Sequence, residues 1–264
     1  HLPPDATIYS CGYVDAAPPR ESLGEAWHLR DMLHPMAVAS SREQVESLPW
    51  PDVQDPRWFE HLPDEIEQIH QQGRAAMGHM ACTIFESAWY VRGMDVLFMD
   101  LLEGNGVGEF LLDWFMDRSI AGVRAYAQAG ADVIMLGDDV GSQHGMLMSS
   151  LFWREHFKPR LAKVVQAIRE HEKEKIWIVY HSDGRIEPVI DDLAEIGIDI
   201  LNPVQPECMD VDAVIREHRH HLAFYGMIGT QSTMPFGKPD DVRRAVGRVR
   251  DHFREGARVI VAPT

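Results

Sequence analysis

Positive charge is scarce in this sequence. Its 264 residues carry 25 Lys and Arg against 41 Asp and Glu, a formal net charge of −16. That balance argues against a nucleic-acid partner, because binding phosphates needs clustered positive charge to displace counterions. It argues equally against an anionic membrane surface, and the acidic excess reads most simply as solubility. Cysteine is scarce too. Cys11, Cys82 and Cys208 lie far apart and form no C-x-x-C pair, so no disulfide framework is expected and a reducing cytoplasm is the default. No apolar run reaches the ~18 residues of a membrane span, and no signal peptide is visible. Neither G-x-G-x-x-G in the first strand–helix turn nor G-x-x-x-x-G-K-[ST] occurs, which leaves nucleotide cradling without support. No internal repeat and no low-complexity segment stands out.

What is there is a chain 45% hydrophobic, able to bury a sizeable core, at a length that α/β barrels often occupy as one unit. It begins with His1 and ends on the strand-like run "RVIVAPT", so a fragment of a longer protein is expected. Residues 1–60 are rich in Pro and Asp and read as an irregular leader packing on the domain that follows. From 61 to 264 helical periodicity alternates with apolar runs at 75–85, 132–137, 176–182, 198–204, 222–229 and 258–264. The runs alternate little, as strands covered on both faces do. Helices are predicted near 86–100, 107–128, 149–171, 186–196, 210–218 and 239–255, with Asp210 and Pro239-Asp240 as starts. This alternation gives a parallel sheet with right-handed crossovers. An α/β fold of the (β/α)₈ TIM-type barrel class is favoured over an open doubly wound sheet, with units missing beyond both ends.

In a barrel the chemistry sits at the carboxyl ends of the strands, and here those ends are polar: "CTIFESAWY", "MLGDDVGSQHG", "YHSDGR", "LNPVQPE" and "YGMIGTQSTMPFG". The first offers Thr83, Glu86 and Trp89. Asp138 and Asp139 are adjacent, so only one can face the mouth of an extended strand's barrel. A carboxylate there serves as proton donor, acceptor or metal ligand, or else caps a turn or the next helix. Spacing does not choose between the two residues. His181 and Asp183, two apart on a strand, point the same way and suit a divalent metal such as zinc; the alternative is a histidine hydrogen-bonded to a carboxylate at a turn. Asn202, Gln205 and Gln231 are candidates to orient substrate, as are Gln143, Arg185 and Tyr225. Asn202 and Gln205 have the alternative of satisfying loop backbone. The "REHRHH" cluster at 216–221 reads as a solvated helix end, and His28 and His34 reach a pocket only as loop residues.

The stretches "GADVIMLGDDVGSQ", "HSDGRIEPVIDDLAEIGIDILNPVQP", "FYGMIGTQSTMPFGKPDDVRRAV" and "RVIVAPT" resemble the uroporphyrinogen decarboxylase superfamily, from about Glu60 onward and in order. The leader segment "HLRDMLHPMAVASSREQVESLPWPD" resembles the region preceding the barrel. The resemblance implies a (β/α)₈ barrel and two candidate chemistries. One is decarboxylation of a porphyrinogen without metal or cofactor, through an Asp near the pyrrole nitrogens and Arg residues from an N-terminal segment. The other is methyl transfer to a corrinoid protein. "LGDDVGSQ" looks more like the methyltransferase branch, since the decarboxylases usually carry a Phe-Asp-Ser-Trp type run there. In that branch a strand-end His-x-Cys and a later Cys hold zinc. The His falls on His181, whereas the Cys position falls on Asp183, a departure that puts a carboxylate in place of a thiolate. The later Cys would lie around or just beyond Thr264.

The reading is therefore a cytoplasmic enzyme that moves a methyl group from a small O-methylated substrate to a corrinoid carried by a partner protein. His181 and Asp183 hold zinc or another divalent metal, and Asp138 or Asp139 is a further ligand or proton donor. An oxygen-rich site would polarise an ether oxygen strongly. Cofactor-free decarboxylation is the rival, though Arg185 is the one strand-end Arg to grip a polyacid. A non-catalytic ligand-binding barrel is the third reading, and a homodimer is an assembly the barrel allows.

Overall fold

The computed structural model describes residues 34–172 and 174–264; Cys11 and His28 lie outside the described residues. Six strands form one sheet: β1 (Met77–Met80), β2 (Val133–Gly137), β3 (Trp177–His181), β4 (Ile200–Asn202), β5 (Ala223–Ile228) and β6 (Val259–Pro263). Each lies within one of the apolar runs. Every neighbouring pair is parallel, and the spatial order is the chain order. A doubly wound sheet reverses its strand order partway. Here the winding never reverses, as in a (β/α) barrel.

Helices α1 (Arg42–Glu46) and α2 (Leu62–Gln71) precede β1. Helices α3 (Phe85–Arg92), α4 (Met94–Glu103) and α5 (Val107–Ala129) lead to β2, and α6 (Ser150–His156) and α7 (Lys158–His171) lead to β3. Helix α8 (Ile190–Glu195) joins β3 to β4, α9 (Val211–His218) joins β4 to β5, and α10 (Thr233–Phe236) and α11 (Pro239–Arg254) join β5 to β6. Two predicted helices are each broken in two. The first stops at Gly93, whose φ of 90° leaves the helical region. The second breaks at Phe157, where Pro159 in the first turn of α7 has no N–H to continue the ladder of α6. Asp210 caps α9 as predicted, accepting from the Ala213 amide at 3.1 Å.

Ile134, Leu136, Ile178, Tyr180, Leu201 and Phe224 carry the sheet's contribution to a core closed by the helices. Strand β6 is more exposed than the expected two-sided cover, because it has one sheet neighbour among the described residues. Met36 and Val45, ahead of the first strand, are buried in the same core. A buried ion pair fastens the segment around Met36. Arg92 Nε lies 2.7 Å from Asp100 Oδ2, with both side chains about 95% covered, and Arg92 also donates to the Met36 and Ala39 carbonyls. The "REHRHH" reading needs one correction. His218 is buried, its Nδ1 3.1 Å from Asp191 Oδ1, because it falls on the face of α9 that also buries Val211, Val214 and Ile215.

Candidate metal centre at the strand ends

Parallel pairing sets Gly137 of β2 beside His181 of β3, and His181 beside Asn202 of β4. Three neighbouring strands therefore end at one level, and the residues just beyond them share one space. Asp138 and Asp139 part company there. Asp138 is buried and turns toward the start of α3, where its two oxygens accept from the backbone amides of Ile84, Phe85 and Glu86 at 2.9–3.1 Å. It supplies the cap that Ile84, at the N-cap position, lacks. Burial pushes its carboxyl up, against the pull of those amides and of Arg118. Asp139 faces the other way, into the mouth, with its side chain 39% exposed.

The "HSDG" turn is fastened at every position. Ser182 Oγ accepts from the Val140 amide at 3.0 Å, the Asp183 amide donates to Asp139 Oδ1 at 2.8 Å, and the Gly184 amide donates to Gln205 Oε1 at 3.0 Å. The Arg185 amide then donates to the Ser142 carbonyl at 2.9 Å. Gly184 has φ +80°, and a Cβ there would lie 2.6 Å from backbone atoms of Gly141 and Ser142. The turn after β3 and the loop after β2 thus meet main chain to main chain.

Onto this frame the chain places Asp139, His181 and Asp183 with a ligand atom of each within 4.8 Å of the others. The histidine is oriented for coordination. Asn202 Nδ2 donates to the Tyr225 carbonyl at 3.0 Å, which turns Oδ1 toward His181 Nδ1 at 2.7 Å. An oxygen acceptor on Nδ1 fixes the proton there and leaves the Nε2 lone pair bare. Nε2 lies 3.6 Å from Asp139 Oδ1. Two ligands of one tetrahedral ion at about 2.1 Å stand about 3.4 Å apart, so the spacing suits a shared cation. Burial and the Asp139 charge raise the Asp183 carboxyl while His181 lowers it, and a cation would relieve that repulsion.

Behind Asp139 stands Glu86, in the first turn of α3. Glu86 is buried; its Oε1 accepts from the Tyr90 hydroxyl at 2.9 Å and its Oε2 from the Asp139 amide at 3.2 Å. Its signal in the sequence is an acid inside an otherwise apolar helix start. Burial, then the Asp138 and Asp139 charges, push its carboxyl up to about 8. The unfolded chain releases that proton near 4.5, so between these values the folded state binds more protons and rising pH costs stability. In a chelator, wild type should lose on the order of a few kcal/mol between about pH 5 and 8 relative to Glu86→Gln, read by urea denaturation. A pH-independent difference between the two would show that Glu86 is ionised in the fold.

Of the other candidates, Gln143, Arg185 and Gln231 are exposed on rim loops. Gln143 Oε1 takes the Cys208 thiol at 3.1 Å, and Arg185 pairs with Glu187 at 2.8 Å. Asn202 and Gln205 are buried, their carbonyl oxygens engaged with His181 and the Gly184 amide. Tyr225 offers its main-chain carbonyl to Asn202. His34 Nδ1 meets the Tyr90 carbonyl at 2.8 Å. Cys82 and Cys208 are free thiols, and no helix among the described residues is long and apolar enough to cross a membrane.

The family model described as Uroporphyrinogen decarboxylase (URO-D) matches residues 4–264, which includes the leader. Among solved structures, a methyltransferase from Methanosarcina mazei is similar at a TM-score of 0.62 with 19% sequence identity, over 76% of this chain and 57% of that one. The likeness is one of fold, and the chain spans little more than half of that protein's length. No curated protein matches.

Proposed function

Because the chain belongs to the uroporphyrinogen decarboxylase family, we propose that it is an enzyme of the metal-dependent kind, which moves a methyl group from a small O-methylated substrate to a corrinoid carried by a partner protein. The observation that carries this reading is the convergence of Asp139, His181 and Asp183, with the His181 Nε2 lone pair turned toward them. The methyltransferase likeness in fold agrees with it. Asp139, His181 and Asp183 would hold the ion, two oxygens and one nitrogen, a donor set that suits zinc or another borderline divalent cation. A bound ion supplies Lewis acidity toward an ether oxygen.

The chain's own residues do the rest. Asn202 keeps His181 in its coordinating tautomer, Gln205 anchors the turn that presents Asp183, and Glu86 holds the Asp139 main chain. Gln143, Arg185 and Gln231 on the rim contact the substrate, with Tyr225 below them. Asp138 serves the site by capping α3 rather than by touching substrate.

Elemental analysis of wild type beside Asp139→Ala, His181→Ala and Asp183→Ala tests this. About one divalent ion per chain is expected in wild type, and a loss of most of it in each folded variant. Folded wild type that takes up no metal after reconstitution would overturn the reading. Decarboxylation, the other chemistry weighed for this family, would then lead.

A further inference from the structure

A cavity of about 320 Å³ lies beside β1, walled by α5 and the 51–59 loop, and shares no residue with the metal triad. Its walls are aromatic. Trp114 of α5, Trp58 of the loop and Tyr90 of α3 line it, and their orientations are fixed. Trp58 Nε1 donates to the Asp52 carbonyl at 3.0 Å, Trp114 packs on Trp50 with ring centroids 4.4 Å apart, and Tyr90 is held by Glu86.

In a protein of net −16, no Asp or Glu among the described residues lines this cavity. Arg118 does, one helical turn from Trp114 and so on the same face of α5. The Arg118 side chain is steadied by the Cys82 carbonyl at 2.8 Å and by the Phe115 ring, 5.3 Å from its guanidinium carbon. The acidic side chains on the wall stay neutral. Burial pushes the Cys82 thiol up to about 12 and raises the Tyr90 phenol well above its usual range. His79 adds a second basic group. Pockets of this size with aromatic walls and one placed charge are built for small ligands. Flat walls select a planar ring, and a guanidinium selects a planar anion such as a carboxylate.

We propose that this cavity is a binding site for a small aromatic carboxylate, its ring between Trp58 and Trp114 and its carboxylate on Arg118. A ligand seated there touches Tyr90, whose hydroxyl holds Glu86, which in turn holds the Asp139 amide. The site stands on its own lining and does not depend on a metal being bound.

Benzoate is the probe, titrated into the whole chain in the presence of a chelator, with calorimetry and tryptophan fluorescence as readouts. Saturable binding is expected, with benzyl alcohol, the neutral analogue, weaker by at least about tenfold. Arg118→Met should remove that preference for the acid and Arg118→Lys should restore part of it, while Trp58→Ala should weaken both ligands alike. No saturation by benzoate in folded wild type would overturn the proposal, as would equal binding of benzyl alcohol, or an acid preference that survives Arg118→Met. Because metal is withheld throughout, none of these outcomes bears on the metal-centre reading, and the metal analysis above does not bear on this one.

Discussion

Asp138→Ala is expected to destabilise the fold by about 3–5 kcal/mol, while Asp139→Ala changes stability by about 1 kcal/mol or less. The two acids are neighbours, and the difference lies in what each carboxylate faces. Asp138 takes three backbone amides at the start of α3. Removing it strands three buried N–H groups at the positive end of a helix dipole, each costing about 1–3 kcal/mol with partial relief by relaxation. Asp138→Asn keeps one acceptor oxygen and should cost about half as much. Asp139 is 39% exposed, and its loss unpairs only the exposed Asp183 amide, which water can satisfy, yet it should remove metal that Asp138→Asn leaves in place. Urea denaturation of the three variants beside metal analysis reads both effects. Equal stability losses at 138 and 139 would mean that the division of labour is wrong.

Gly184→Ala should be nearly as damaging, by about 3 kcal/mol or more. A methyl group there must adopt φ +80°, which costs an L-residue about 1–2 kcal/mol, and it would press within 2.6 Å of main-chain atoms in the loop after β2. Those atoms belong to backbone, so the turn itself must move, adding about 1–3 kcal/mol of overpacking. A displaced turn carries Asp183 away from His181 and Asp139, so metal uptake should fall along with stability. Gly104 is the control. It has φ +62° with nothing within 4 Å of its would-be Cβ, so Gly104→Ala should cost only the conformational part, about 1 kcal/mol, and leave metal content unchanged. A Gly184→Ala protein with wild-type stability and a full ion would refute the close approach described here.

Much of this architecture is legible in the sequence, for physical reasons that can be named. The strands are short apolar runs bounded by polar turns, and all six lie within the runs read from the sequence. Helix existence was readable from periodicity, but continuity was not. Gly93 and Pro159 break helices whose apolar spacing runs on past them, because spacing reports which face is buried and says nothing of whether the ladder is intact. His181 and Asp183 are visible as residues two apart at a strand end, although the strand stops at His181 and Asp183 lies in the turn just past it. Their third companion was hidden, because an adjacent pair such as Asp138-Asp139 looks alike until α3 is folded and one member is drawn to its amides. Glu86 meets Asp139 across 53 residues, a contact no local pattern encodes. His218 reads as solvated among its charged neighbours and is buried because only one face of α9 meets the core.

The fastening of the "HSDG" turn has a consequence for how such a centre can diversify. At position 183 the ties run through the main chain: the amide donates to Asp139 and the carbonyl accepts from Ser182 Oγ. The side chain there contributes chemistry without carrying the turn's shape. A lineage can therefore exchange a carboxylate for a thiolate, or the reverse, and retune which cations are taken up without having to rebuild the loop that displays them. In the proposed centre a thiolate and the carboxylate of Asp183 would then be interchangeable heads on one scaffold, and the freedom to vary sits on the one atom group that the frame leaves unassigned.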